Sequence, residues 1–99
     1  MPEALCPDEI TEIVNELPGW RGDINGLTRT YRFADFATAM EFMYSAAPAI
    51  DAANHHPEWC NVYSRVSVTL RTHDAGHRVT HLDVKLAKLL DSFAKNCPS

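Results

Sequence analysis

The sequence predicts an α+β fold: a four-stranded antiparallel sheet with helices packed on one face, in the order α-β-β-α-β-β-α. Three observations predict it. Apolar residues recur at helical spacing in three separate stretches, around 10–17, 36–50 and 82–93. Between successive stretches lie paired runs rich in aromatic and β-branched residues, the composition of strands. Each pair is joined by a few polar residues, which makes hairpins rather than crossovers and so an antiparallel sheet. The 99 residues are expected to form one domain, 1–99, and an apolar fraction of 45% is enough for one core.

The first helix starts near Pro7. Proline suits the first helical position, and Asp8 and Glu9 complement the positive end of the helix dipole. Ile10, Ile13, Val14 and Leu17 share one face, and Pro18-Gly19 ends the helix. Trp20 to Asp23 and Leu27 to Phe33 read as strands joined through Asn25-Gly26, a strong hairpin signal. Asp35 is a good N-cap for a second helix whose apolar stripe is Phe36, Ala39, Met40, Met43, Ala47 and Ile50. Pro48 lies inside that pattern. It removes a donor and crowds the carbonyl of Tyr44, which predicts a kink or break around Tyr44 to Ala47.

Trp59 to Tyr63 and Val66 to Thr72 form the second hairpin, with its tip placed at Ser64-Arg65. That register pairs Tyr63 with Val66 and Trp59 with Leu70, and it sets His56 opposite His73. Trp59, Tyr63, Val66, Val68 and Leu70 then face the core. Glu58, Cys60, Val62, Ser67, Thr69 and Arg71 face outward. Thr80 and Asp83 have the form of a capping box for the last helix, and Val79 with Val84 that of a hydrophobic staple. Its buried stripe is Leu82, Leu86, Leu89 and Phe93. The ends, Met1 to Leu5 and Asn96 to Ser99, are expected to fray.

The residues that point to chemistry are Asn54-His55-His56-Pro57-Glu58-Trp59 and, one hairpin later, Thr72-His73-Asp74. Histidine, with an ordinary pKa of about 6.5, exchanges protons near neutrality. Three imidazoles gathered by one hairpin suit acid–base work on a small molecule. Asp51, one helical turn before the pair, is placed to orient His55. Trp59 is assigned to core packing, with the wall of a cleft as its alternative. His77 and His81 read as surface residues.

Together these runs resemble the signature of the pterin-4a-carbinolamine dehydratases. The likeness extends to Leu17-Pro18-Gly19-Trp20, Tyr31-Arg32-Phe33-Ala34-Asp35-Phe36, Asn61-Val62-Tyr63, Val68-Thr69-Leu70 and Asp83-Val84-Lys85-Leu86-Ala87, in the family's order. The chain departs from it at Pro48, at Leu82 where a basic residue is usual, and in a longer loop around His77. The resemblance implies the α+β arrangement above and the dehydration of a 4a-hydroxy-tetrahydropterin to the quinonoid dihydropterin, a step in tetrahydrobiopterin recycling. It implies His55 and His73 as general acid/base groups, with His56 catalytic mainly by orienting the substrate. Asn54, Pro57, Thr72, Asp74, Asp51 and Trp59 become substrate-binding candidates. It also implies no cofactor, a homodimer or homotetramer, and in some members a role as dimerisation partner of a transcription factor.

Composition bounds the alternatives. A net charge of −4 argues against direct nucleic-acid binding. No apolar run reaches the length of a membrane span. Cys6, Cys60 and Cys97 are odd in number and widely spread, which fits a reducing compartment and a cytoplasmic protein, with the nucleus open as an alternative. His56, His73 and Asp74 are the one trio that could share an ion. No zinc-type spacing surrounds them, so no metal ligand is assigned.

Overall fold

The computed structural model describes residues 2–98. Its elements are α1 (Pro7–Glu16), β1 (Arg21–Asp23), β2 (Gly26–Arg32), α2 (Phe36–Ala53), β3 (Glu58–Val62), β4 (Arg65–Leu70), a short 3-10 turn (His73–Ala75) and α3 (His81–Ala94). The four strands make one antiparallel sheet, as the sequence predicts, and the structure orders them β1-β2-β4-β3. One sheet face and the helices share the core, built from Leu27, Tyr31, Val66, Val68 and Leu70 with Ile10, Ala39, Phe42, Ile50, Leu86 and Leu90. The outward face carries Thr28, Thr30, Arg32, Ser67 and Cys60, all exposed.

Helix boundaries follow local chemistry. Glu9 Oε1 accepts the Cys6 backbone N–H at 3.0 Å, which satisfies a donor at the start of α1. Gly19, at φ +87, makes the left-handed turn that ends the segment after α1. Asp35 caps α2 by accepting Thr38 N at 2.8 Å and Thr38 Oγ1 at 2.7 Å. Those two bonds hold its carboxyl below the usual carboxylate range.

The first hairpin turns one residue earlier than expected. Asp23 pairs with Gly26, so Ile24-Asn25 form the loop, and Asp23 Oδ1 accepts Asn25 N at 2.8 Å. The second hairpin also turns one residue early, at Tyr63-Ser64. Tyr63 takes the left-handed conformation, φ 52, while Asn61 Nδ2 donates to the carbonyls of Tyr63 and Arg65 at 3.0 and 2.9 Å. Val62 therefore pairs with Arg65, Asn61 with Val66 and Trp59 with Val68. Moving the tip by one residue shifts the register by two, so every residue that remains in β3 and β4 keeps its expected face. The opposition of His56 and His73 is lost, because β3 begins only at Glu58 and β4 ends at Leu70. Tyr63 belongs to the turn and is exposed.

Two helix stripes are rotated from expectation. On α2 the buried residues are Thr38, Ala39, Phe42, Ala46 and Ile50, with Phe36 and Ala47 exposed. On α3 they are Asp83, Leu86, Ala87 and Leu90, with Leu82 exposed. The cause on α3 is Asp83, whose carboxylate is fully buried and turns its own position inward. The ends are also held. Leu5 is buried and donates its N–H to the Val79 carbonyl at 2.9 Å, and Pro98 O accepts Ala34 N at 3.1 Å. Met1 and Ser99 lie outside the described residues.

Asp91 ties α3 to the sheet. Its carboxylate accepts Trp20 Nε1 at 3.1 Å, Arg29 NH1 at 2.9 Å and the Tyr31 hydroxyl. Burial, with the Asp91 bond second, pushes the Tyr31 hydroxyl far above the ordinary phenol value, so it stays a donor.

Pro48 does not break α2, which runs continuously from Phe36 to Ala53 with the proline exposed within it. The expected break around Tyr44 to Ala47 is therefore absent. A helix-interior proline still lacks its donor and crowds the preceding turn. Pro48→Ala is expected to raise stability by about 1–3 kcal/mol. Urea unfolding checks this, and an unchanged midpoint would show that the helix absorbs the ring without penalty.

Candidate active site

Asn54 ends α2 in the left-handed conformation, φ 53, with its N–H on the Asp51 carbonyl at 3.0 Å. That turn redirects the chain, so His55 runs back towards α3 while His56 stays on the surface. Pro57 keeps His56 extended and out of the ladder.

His55 is the anchored imidazole. Its Nε2 lies 2.6 Å from Asp83 Oδ1, and its side chain is only 11% exposed. Asp83 is fully buried and uses both oxygens. Oδ2 accepts Thr80 N at 2.9 Å and Thr72 Oγ1 at 2.8 Å. Thr72 Oγ1 and Thr80 Oγ1 are 2.6 Å apart. Proton counting orders this network. Thr72 spends its single hydroxyl proton on Asp83, so it accepts from Thr80, whose oxygen in turn accepts Leu82 N at 3.2 Å. An ionised carboxylate only accepts, so His55 donates from Nε2. Its Nδ1 is then the atom free to exchange a proton, and Asp83 holds the ring in that tautomer.

Asp83 is the site residue that sequence reasoning missed as such. The expected orienting carboxylate was Asp51, but Asp51 Oδ1 meets His56 Nε2 at 2.8 Å instead. That pair is exposed on both sides, 59% and 80%, and such pairs contribute about 0–1 kcal/mol. The capping-box pattern was the available signal for Asp83. A cap uses one carboxylate oxygen and leaves the other for a second partner.

Thr72 is buried, and its hydroxyl is occupied by Asp83 and Thr80. The expectation sets it against a substrate; here its hydroxyl is engaged within the protein. His73, next in the chain, is exposed at the start of the 3-10 turn, followed by exposed Asp74. Its ring packs edge-on against His77, with centroids 4.7 Å apart. His77 thus stays on the surface, as expected, but touches a candidate catalytic residue. Its φ of 61, following Gly76 at 70, turns the longer loop back over His73. Among the described residues no hydrogen bond links the three histidines directly. Their connection runs from His55 through Asp83 and Thr72 to the backbone of His73.

A cavity of about 330 Å³ lies between the end of α2 and α3, lined by Ala53, His55, Leu82, Lys85, Leu86 and Leu89. It gives His55 an apolar wall of a size suited to a small ring system. Trp59 is not part of it. Trp59 is half-buried with its edge to Phe42 at 6.2 Å, which is core packing. Asn54 is exposed and Pro57 half-buried beside the histidines. Among the described residues, no three His, Cys, Asp or Glu side chains are grouped to hold a metal ion, so His56, His73 and Asp74 do not form such a set. Nor is any described helix long and apolar enough to cross a membrane.

Comparison with known proteins agrees with these features. The family model described as pterin 4 alpha carbinolamine dehydratase matches residues 3–93. A protein of Opitutus terrae is 48% identical over 94 residues, which cover 95% of this chain and 97% of the relative. One from Rhizobium johnstonii is 52% identical over 83 residues, covering 82% and 81%. Both carry the name pterin-4-alpha-carbinolamine dehydratase provisionally. A crystal structure from Brucella melitensis, described as a transcriptional coactivator/pterin dehydratase, superposes with a TM-score of 0.85 at 41% identity, over 91% of this chain and 97% of that one. A pterin dehydratase-like RuBisCO assembly factor of the alpha-carboxysome shares the fold, with a TM-score of 0.62 at 20% identity over 76% and 86% of the two chains. With its fold, its histidine run and nearly its whole length matched, the chain belongs to the pterin 4 alpha carbinolamine dehydratase family.

Proposed function

We propose that the protein dehydrates a 4a-hydroxy-tetrahydropterin to the quinonoid dihydropterin by histidine acid–base catalysis, as a step of tetrahydropterin recycling. The observation that carries this reading is the buried His55–Asp83 pair facing an apolar cavity. The reaction breaks the bond from ring carbon to hydroxyl oxygen. The oxygen leaves as water after taking a proton from a general acid. The adjacent ring nitrogen gives its proton to a general base, and its electron pair forms the new carbon–nitrogen double bond. Atoms balance without an oxidant, so the chemistry asks only for two positioned proton carriers, each contributing about 10²–10⁴-fold. His55, with Nδ1 free, and the exposed His73 fill these roles. His56, Asn54 and Asp74, all exposed, are assigned to orienting the polar ring atoms.

A direct assay on a 4a-carbinolamine substrate tests the reading. Catalysed water loss is expected, and it should survive exhaustive chelation and dialysis. No acceleration over buffer would refute the assignment.

A second reading has one observation behind it. The Brucella relative is described as a coactivator as well as a dehydratase. The helical surface here offers Tyr44, 84% exposed, and Leu82 as apolar contact points for a partner protein. Wild-type activity together with no effect on any DNA-binding partner would remove it.

Self-association belongs to the same proposal. The strand order leaves β1 and β3 as edges, and edge strands invite pairing. Light scattering at micromolar concentration is expected to give a dimer or tetramer mass. A monomer would count against it.

A further inference from the structure

The outward sheet face has a charge pattern that the dehydratase chemistry does not use. Arg32 of β2 and Arg65 of β4 are directly paired across the ladder, and both are exposed. Like charges directly opposed destabilise a sheet. Among the described residues neither has an ion-pair partner, and neither does Arg21. Two carboxylates share this face: Glu58 is already 2.8 Å from Arg71 Nε, and Asp23, at the β1–β2 turn, accepts Asn25 N at 2.8 Å. The chain as a whole is acidic, net −4, with Asp8, Glu9, Glu12 and Glu16 gathered on α1. The arginines therefore form a local basic patch, not a reflection of overall composition.

A cavity of about 520 Å³ lies on this face, lined in part by Arg21, Thr28, Thr30, Arg32, Ser67 and Thr69. That volume falls within the range of about 300–1,000 Å³ usual for small-molecule sites. Arg21 and Arg32 lie at opposite ends of this lining with hydroxyl-bearing residues between them, and Arg65, across the ladder from Arg32, stands just outside it. Thr28 faces Thr69 and Thr30 faces Ser67 in the ladder, and Arg21 sits beside Thr28. From Thr28 to Arg32 the strand rises about 13 Å. Guanidinium forks match phosphate oxygens bidentately, and hydroxyls both donate and accept.

We propose that this face binds a small phosphorylated molecule, its phosphate held between Arg32 and Arg65 and its polar body laid along the threonine and serine hydroxyls towards Arg21. The lining holds no aromatic ring on which a base could stack, and the acidic chain repels a long polyanion, so a nucleic-acid strand is the poorer fit. The site is separate from the histidines, and its occupancy does not depend on the dehydratase reading.

Pyrophosphate is the probe, titrated calorimetrically into the intact protein at low ionic strength. Saturable binding is expected, weakened at least tenfold in Arg32→Gln and in Arg65→Gln. Pyrophosphate should raise the melting temperature of the wild type more than that of either variant. Without ligand, each variant should melt at or above the wild type, because the repulsion is gone, and dehydratase activity should be unchanged. Absence of saturable binding would overturn the proposal, as would equal binding by the variants. An oligonucleotide binding more tightly than pyrophosphate with the same arginine dependence would also overturn it and assign the face to nucleic acid.

Discussion

Asp83→Asn is expected to lower dehydratase turnover by about 10²–10⁴-fold while leaving a folded protein. The reasoning rests on hydrogen-bond inventory. The Oδ2 position takes two donors, Thr72 Oγ1 and Thr80 N, so the amide oxygen of asparagine belongs there. The amide NH₂ then faces His55 Nε2, a donor against a donor, and His55 must switch tautomer. Its Nδ1 becomes protonated in the neutral ring and can no longer act as a base. Losing the charge-assisted bond in a buried setting should also destabilise the fold by about 2–4 kcal/mol. Stopped-flow dehydration kinetics and a thermal melt separate the two effects. Turnover within a few-fold of wild type, in a variant that has lost stability, would show that Asp83 is a cap and nothing more.

The second large effect concerns division of labour among the histidines. His55→Ala and His73→Ala should each cut kcat by about 10²–10⁴-fold with little change in KM. His56→Ala should chiefly raise KM, because its exposed link to Asp51 fixes an orienting group that acts in ground state and transition state alike. Steady-state kinetics on one substrate distinguish these patterns. A His56 variant with collapsed kcat and unchanged KM would move the proton-transfer role to the surface pair.

The strand and helix order was legible because period and composition agree along the chain, and the histidine run announced the site. Four points were not legible, each for a physical reason. The partner of His55 is 28 residues away in sequence, whereas Asp51 stands one helical turn upstream, and local spacing favours the nearer carboxylate. The tip at Tyr63-Ser64 places a tyrosine at positive φ, which no glycine or asparagine at that position foretells. The inward turn of Asp83 contradicts the rule that carboxylates stay at the surface, and only the converging donors of His55, Thr72 and Thr80 make it tolerable. Terminal anchoring by Leu5 and Pro98 depends on long-range backbone bonds that have no local pattern at all.

The strand order β1-β2-β4-β3 has a consequence for how the molecule comes apart. β4 is bonded on both sides, and Thr72 lies two residues beyond its end. β3 is an edge, and His55 and His56 lie just before it. Amide hydrogens of β4 should thus exchange with solvent only through near-global opening, while those of β3 exchange through a local event of smaller free energy. Such an event detaches the His55 arm from an otherwise intact scaffold that still holds Asp83 and Thr72. In mild urea, activity should therefore fade at concentrations where β4 remains protected, and inactivation should reverse at once on dilution.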